Sequence, residues 1–408
     1  MVMDTFIFST ADTVVISIIV LYIGHILTHR ISALRKYSIP QAVTGGLLVS
    51  LITLLIVRLG GPKIEFELQL RDALLLTFFS TIGLSAKFSQ LKKGGRPLLI
   101  LLLCASVFLV VQNSTGVLLA KLLGTHPAYG LFAGSVSFAG GHGTAIAWGQ
   151  EAEAAGLQNA GLIGIAFATF GLVGGGIIGG PVAEFLMKKN RLQPTDPSHK
   201  HSMMGSEDAD LQSPGPVTMH RILETIMILA VCVSFGDLVN RLFFDVGVKL
   251  PGFLTAMMIG IAITNLATVF DKEIRQPDFD KIGEVALQLF LSMSLMSMDL
   301  NALAQMMGVV FIVLTVQMVV ITLFAVLIVF RLMGKDYDAA VISAGFTGLG
   351  LGATPVAIAN MDAITSKYGP SLKAFLVVPL IGAFFIDLVN ALVIKFFIGL
   401  PIIQNAPL

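Results

Sequence analysis

Apolar residues run along this chain in stretches of about twenty, too long for strands and too unbroken for the one-sided faces of surface helices. The stretches lie at 9–29, 41–60, 72–90, 97–123, 158–187, 219–240, 250–270, 281–300, 306–333 and 372–399. As α-helices rising about 1.5 Å per residue, each is long enough for a hydrocarbon layer of about 30 Å. The pattern predicts ten spans. Two further stretches, 127–150 and 337–365, are equally apolar but cut by glycine, threonine and proline. Backbone that leaves the helix at membrane depth must be buried in protein or line a watery cavity, because lipid cannot pair its N–H and C=O groups. Both are therefore expected to be re-entrant. The one long polar stretch, 190–217, reads as a linker between an N-terminal half (1–189) and a C-terminal half (218–408).

The halves resemble each other. Lys121-Leu122-Leu123-Gly124 and Arg331-Leu332-Met333-Gly334 each precede a broken stretch, one carrying Gly141-x-Gly143 and the other Gly350-x-Gly352, at a separation of 209–210 residues. Each half would hold five spans and one re-entrant element, and an odd number of spans turns the second copy upside down. The expected fold is an all-α polytopic membrane protein built from two inverted repeats of five transmembrane helices, each with one re-entrant segment. Of 26 Lys and Arg residues, 19 fall on one side of this topology and 7 on the other. Cytoplasmic loops are enriched in both residues, so both termini are expected outside and the linker in the cytoplasm.

Composition agrees: 55% of residues are apolar and 12% charged, against about 25% charged in soluble domains. A net charge of +1 with no basic face argues against nucleic acid. Cys104 and Cys232 sit inside apolar runs without a partner at metal spacing and read as packing residues; His199 and His201 in the linker lack a third ligand. The start, Met1-Val2-Met3-Asp4, has no basic region of a signal peptide, so the first apolar run is expected to be kept. No Gly-x-x-x-x-Gly-Lys-Ser/Thr loop is present, nor His-Glu-x-x-His nor Gly-x-Ser-x-Gly, so neither ATP nor the commonest hydrolytic machinery is in evidence. No organic cofactor is implied. Energy would come from an ion gradient, unless flow is passive.

Candidate chemistry gathers at the breaks. The first carries Gly140, Gly141, His142, Gly143 and Thr144; the second carries Gly350, Gly352, Ala353, Thr354 and Pro355. Glycine lets the backbone turn sharply and lets a ligand approach N–H groups, and a helix starting at such a break points partial positive charge at an anion. Thr144 and Thr354 could offer hydroxyls to a carboxylate, or bond back to their own helices. His142 is either a ligand or a structural donor. Gly46 and Gly174 to Gly176 read as close-packing residues. Asp387, at the centre of the last span, is a carboxylate at bilayer depth and so a functional candidate by default. It could hold Na⁺, pair with a substrate ammonium or relay protons; Asn390, three residues on, shares its helix face. Thr81, Gln112, Asn113 and Asn360 are further polar groups at depth, as suited to interhelical hydrogen bonds as to ligands. Arg71-Asp72 opens the third span as an anchor at the interface or a substrate entrance.

The stretches AGGHGTAIAWG (139–149), GLGLGATPVAIANMDAIT (348–365), VVPLIGAFFIDLVNALVIK (377–395) and LRDALLLTFFSTIGL (70–84) resemble those of the bacterial glutamate:sodium symporter family, almost end to end. More distantly they are similar to the 2-hydroxycarboxylate carriers, which have paired glycine motifs in two re-entrant loops. The resemblance implies L-glutamate and Na⁺ as solutes, the bacterial inner membrane, a homodimer of ten-helix protomers, an elevator-like moving domain, and Gly140 to Thr144 and Gly350 to Pro355 as the two tips. With the residues read above, the expected substrate set is Gly140, Gly141, His142, Gly143, Thr144, Gly350, Gly352, Ala353, Thr354 and Asn360. The expected ion set is Asp387, Asn390, Thr81, Gln112 and Asn113. The alternatives are a carrier of citrate-like di- or tricarboxylates, H⁺ coupling, and a passive channel; a membrane enzyme is disfavoured because no nucleophile is paired with a base.

Overall fold

The computed structural model describes residues 5–36, 39–193, 218–245, 250–270, 274–298 and 300–406; most of the 190–217 linker, with His199 and His201, lies outside them. A short strand β1 (Thr5–Phe8) leads into α1 (Thr10–Arg30), α2 (Ser32–Lys36) and α3 (Gln41–Arg58). After β2 (Lys63–Phe66) come α4 (Gln69–Ser85), α5 (Ser89–Leu122), α6 (Tyr129–Phe132), α7 (Gly141–Ala154) and α8 (Ala160–Asn190). The second half runs α9 (Met219–Asp245), α10 (Gly252–Val269), α11 (Gln276–Met296), α12 (Leu300–Phe324), α13 (Phe330–Leu332), α14 (Tyr337–Leu351), α15 (Thr354–Tyr368), α16 (Leu372–Leu380), α17 (Ile386–Ile398) and α18 (Pro401–Gln404). Wide π-helical turns at Ala325–Val329 and Ile381–Phe385 join α12 to α13 and α16 to α17.

Among the described residues, seven helices are long and apolar enough to cross a membrane: Thr10–Arg30, Gln41–Arg58, Gly95–Leu122, Ala160–Asn190, Met219–Asp245, Gly252–Val269 and Met306–Leu332. The other three expected spans differ for physical reasons. Helix α4 has only 17 residues. Helix α11 opens on Gln276-Pro-Asp-Phe-Asp-Lys and carries Glu284, so its first half is amphipathic. The last stretch is divided at the π turn. The strands were not expected. They pair in parallel, Thr5 opposite Lys63 and Phe8 opposite Phe66, and Glu67 Oε2 beside them accepts from both the amide and the hydroxyl of Thr10, each at 2.9 Å. That carboxylate caps α1, whose first free N–H groups need an acceptor.

Two groups of helices emerge from the packing. In the first, α1 lies on α3 and α11, α3 on α11, α4 on α10 and α11, and α9 on α10 and α4. In the second, α8 is surrounded by α7, α12, α14 and α15, while α5 meets α6, α12, α16 and α17. The groups touch chiefly where α7 meets α11, α3 meets α12, and α4 meets the π turn at 381–385. Lipid offers no hydrophobic drive for helices to associate, so close approach and hydrogen bonds must hold them. Glycine provides the approach: a Cβ at Gly83 of α4 would strike the Met257 carbonyl of α10, and one at Gly46 of α3 would strike Leu295 of α11. Across the same contacts Ser50 donates to the Leu295 carbonyl, and Thr264 Oγ1 to the Leu84 carbonyl at 2.7 Å.

Burial separates rim from centre. The apolar windows of α1 and α9 are each only 22% buried, whereas that of α8 is 61% buried. Val15, Ile19 and Tyr22 on α1, and Met227, Phe235 and Leu242 on α9, are exposed. Exposed apolar faces on that scale suit lipid rather than water. The Gly-rich α8 is apolar all round, as a central helix must be.

Candidate functional site

Both broken stretches leave the helix where glycine was expected to break them, in different ways. The first has the single turn of α6, then irregular turns over 133–140, then α7 starting at Gly141 with φ +68°, a left-handed conformation that only glycine adopts freely. In the second, α14 runs unbroken to Leu351, a turn residue Gly352 and the extended Ala353 follow, and α15 starts at Thr354 with Pro355 in its first turn, where its missing N–H costs nothing. The tips meet: a Cβ built on Gly141 would sit 3.9 Å from the Gly352 carbonyl oxygen. Gly140, Gly141, Ala353 and Thr354 are half-buried there, while Gly143, Gly350 and Gly352 are buried.

Side-chain amides hold the irregular backbone. Asn113 Oδ1 of α5 accepts from the Ser135 amide at 2.7 Å, and Asn390 Nδ2 of α17 donates to the Ser135 carbonyl at 3.0 Å. Gln317 of α12 donates through Nε2 to the carbonyls of Gln112 and Ala133, at 3.0 and 2.9 Å. Gln112 Nε2 donates to the Gly350 carbonyl at 2.8 Å, so α5 reaches both breaks. Asn360 of α15 donates to the carbonyls of Gly175 and Ala344, at 3.0 and 3.3 Å, and ties the second stretch to α8. Freed backbone groups are thereby satisfied at depth.

The same amides are only half used. Asn390 Oδ1, Gln112 Oε1, Gln317 Oε1, Ser135 Oγ and Ser137 Oγ, together with Asn113 Nδ2, are buried and have no hydrogen-bond partner among the described residues. A buried polar atom left unpaired costs about 1–3 kcal/mol, so several around one turn call for a ligand. Five of these six atoms are oxygens, the donors a hard cation takes. Ser135, Ser137 and Gln317 were not singled out from sequence. The signal was there: Gln317 is a lone amide in an apolar run, and Ser135-x-Ser137 closely precedes the glycine cluster.

Asp387 stands between the two breaks along one helix. Five residues before it, Gly382 packs on Thr354, whose hydroxyl lies where a Cβ would be; three residues after it, Asn390 holds Ser135. The Asp387 side chain is half-buried and makes no hydrogen bond or ion pair among the described residues. His142 is buried with Nε2 at 3.0 Å from Thr169 Oγ1. That hydroxyl already donates to the Ile165 carbonyl, so His142 Nε2 is the donor and holds α7 to α8. Thr144 is buried beside Gly140. Thr81 lies on α4 against Gly283 of α11, its hydroxyl given to the Phe78 carbonyl at 2.7 Å. The structure thus brings together Gly140 to Thr144, Gly350 to Thr354, Gln112, Asn113, Asp387 and Asn390, with Asn360 behind the second break.

Two glycine-rich helix breaks that meet among half-used polar side chains, inside a helical body with apolar outer faces, are the marks of a membrane transport protein. A family model described as Sodium/glutamate symporter matches residues 6–370. A sodium/glutamate symporter of Haemophilus influenzae is 43% identical over 397 residues, covering 95% of this chain and 96% of that one. Those of Escherichia coli (strain K12) and Shigella flexneri are 43% identical over 395 residues, covering 96% of this chain and 98% of theirs. The chain belongs to the sodium/glutamate symporter family.

Proposed function

We propose that this protein carries L-glutamate across the bacterial inner membrane together with Na⁺, binding both between the two breaks. Family membership over nearly the whole chain supports the solutes. The observation that carries the reading is the approach of Gly141 to Gly352, which brings the two breaks together. At the second break, Thr354 lies against Gly382, and the helix start of α15 with the Thr354 hydroxyl suits a substrate carboxylate. At the first, the unpaired oxygens of Ser135, Ser137, Gln112, Gln317 and Asn390 suit a dehydrated Na⁺. Asp387, between them, neutralises Na⁺ or the substrate ammonium.

The architecture is read as two inverted repeats, 1–189 and 218–408, each with a re-entrant segment. The packing supports this: α1 on α3 corresponds to α9 on α10, α4 on α10 to α11 on α3, and α4 meets α11 as α5 meets α12. It also supports an elevator, in which the group around α8 moves against the group of α1, α3, α4, α9, α10 and α11, as expected if the first carries the site and the second stays fixed. A homodimer with termini outside completes the reading. Coupling requires Na⁺ and glutamate each to favour the same state, since a ligand indifferent to two states shifts neither. The test is uptake of labelled glutamate into liposomes under an imposed Na⁺ gradient. Accumulation above the external level is expected only with Na⁺, and equal accumulation without it would reject the coupling. Competition by citrate in place of unlabelled glutamate would point to the di- and tricarboxylate alternative.

A further inference from the structure

Where α4 begins, Asp72 is bonded to α7. Gln150 Nε2 donates to Asp72 Oδ1 at 3.2 Å, and the same oxygen accepts from Arg71 Nε at 3.1 Å, so Arg71 aims the carboxylate. Two residues earlier on α7, the buried Trp148 stands edge-on to Phe253 of α10 with ring centroids 5.5 Å apart, and Phe253 lies 4.6 Å from Phe79 of α4. Both contacts join the two packing groups, since α7 lies on α8 while α4 and α10 lie together with α11. Nearer the break the boundary is smooth. Gly143 of α7 presents no side chain, and the nearest atoms to a Cβ built on it belong to the Phe78 ring of α4 and to Leu287 of α11. Apolar contact is non-directional and sets no register, whereas a hydrogen bond and an edge-on ring pair set one. Helix α7 is also the one that starts at Gly141. Whatever holds Gln150 therefore holds the tip of the first break, about 14 Å back along the same rigid element.

We propose, resting on the elevator reading above, that Asp72 and Gln150 are positioning residues for transport. Their hydrogen bond, with Trp148 against Phe253 beside it, is a catch that holds the group carrying the breaks in the described arrangement and lets go in every cycle. Both residues act through α7 and not on the solutes. Movement of α7 along α4 breaks no directional contact over the apolar stretch, but it must break this one. The Asp72 side chain is 61% exposed and Gln150 is half-buried, so water replaces each lost partner and no buried polar group is left unpaired when the bond opens. A bond of that kind biases an equilibrium by about two- to tenfold. It is strong enough to favour one arrangement and weak enough for the differential binding of Na⁺ and substrate to overcome it.

Two measurements separate the catch from the elevator beneath it. In the first, Asp72→Cys and Gln150→Cys are combined in the full chain, whose own Cys104 and Cys232 are buried, and joined by a short methanethiosulfonate cross-linker. Uptake into liposomes should be lost on cross-linking and return on reduction. Undiminished uptake by the cross-linked protein would overturn the catch and the elevator together. The second uses Trp148, the single tryptophan of the chain, whose emission in the purified full chain reports whether its ring lies against Phe253. Gln150→Glu sets two carboxylates side by side and should move the emission away from wild type, through a change of about two- to tenfold in the balance of the two arrangements. Gln150→Lys gives Asp72 a cationic partner and should keep the wild-type spectrum. Adding Asp72→Asn to Gln150→Glu restores a donor opposite an acceptor and should bring the emission back, which a direct effect of the new charge on the indole would not do. Unchanged emission in Gln150→Glu, or no return in the double variant, would overturn the catch even where cross-linking stops uptake. None of the emission results depends on glutamate being the solute, which the Na⁺-gradient uptake assay reads separately.

Discussion

The two breaks carry similar glycine motifs and are built on different chemistry. The first unwinds over 133–140 and surrounds itself with half-used amides and serines from α5, α12 and α17. The second is one abrupt step at Gly352-Ala353, with no unpaired buried side-chain atom of its own among the described residues and a fresh helix N-terminus just beyond. A run of irregular turns exposes carbonyls and gathers neutral oxygens, which is what a small cation needs. A clean helix start exposes N–H groups, which is what a carboxylate needs. On the proposed reading a shared motif divides the labour between ion and anion, and the difference comes from neighbouring helices more than from the glycines.

The largest effect is expected where the two breaks share a residue. Replacing Asp387 by Asn keeps shape and removes charge; if Asp387 contributes about 3 kcal/mol as a charged partner, concentrative uptake falls by about a hundredfold at 1.4 kcal/mol per tenfold. Near-normal accumulation by this variant in liposomes would clear the carboxylate of a charged role and leave the comparison between the breaks without its middle.

Next comes the division itself. Ser135→Ala and Asn390→Ala should weaken Na⁺ binding by about tenfold, measured as Na⁺-dependent thermal stabilisation in the absence of glutamate, because a ligand that binds only the folded protein raises its stability by mass action. Thr354→Val should leave that Na⁺ titration in place and weaken glutamate binding at saturating Na⁺. If Thr354→Val moves the Na⁺ titration as far as Ser135→Ala does, the two breaks do not divide the solutes and the contrast is wrong.

Much of this was legible in the residues. Unbroken apolar runs marked the seven long helices because lipid demands length and little else. The glycine clusters marked both breaks, since only there is the helix abandoned at depth. What stayed hidden depends on partners far away in sequence. Ser135 is unremarkable until Asn113 and Asn390 arrive from α5 and α17 to hold its backbone and leave its hydroxyl unpaired. Thr81 reads like Gln112 in sequence, but its hydroxyl is given to the Phe78 carbonyl of its own helix and its side chain lies against Gly283 of α11. The parallel pairing of β1 with β2 joins two four-residue segments more than fifty positions apart, too short to leave a periodic signal. Asp387 was the easiest residue to see and its setting the hardest, because the π turn before it shifts which side of the helix it faces.

A smaller effect tests the turn at Gly141. With φ at +68°, alanine there takes on backbone strain of about 1–2 kcal/mol, and its methyl points toward the Gly352 carbonyl. Gly141→Ala should lower the melting temperature and weaken glutamate binding together. Lower stability with unchanged glutamate affinity would mean that the tip is a fold device and not part of the pocket.

The smallest effect comes from neighbouring glycines on α8, which see opposite surroundings. At Gly180 nothing lies within 4 Å of an added Cβ, whereas at Gly179 the Asn360 side chain occupies that position. Gly180→Ala should be close to neutral, since the smaller backbone freedom alanine loses on folding is offset by crowding of its Cβ against the ring of Pro181, the next residue in the helix. Gly179→Ala gains the same advantage, yet must push aside the amide that bonds Gly175 and Ala344, so it should be net destabilising and should loosen the second break. Hydrogen exchange over 344–360 reads this directly: faster in Gly179→Ala and unchanged in Gly180→Ala. Equal exchange in the two variants would mean that Asn360 does not tie the second break to α8, and that this break is held by Gln112 and packing alone.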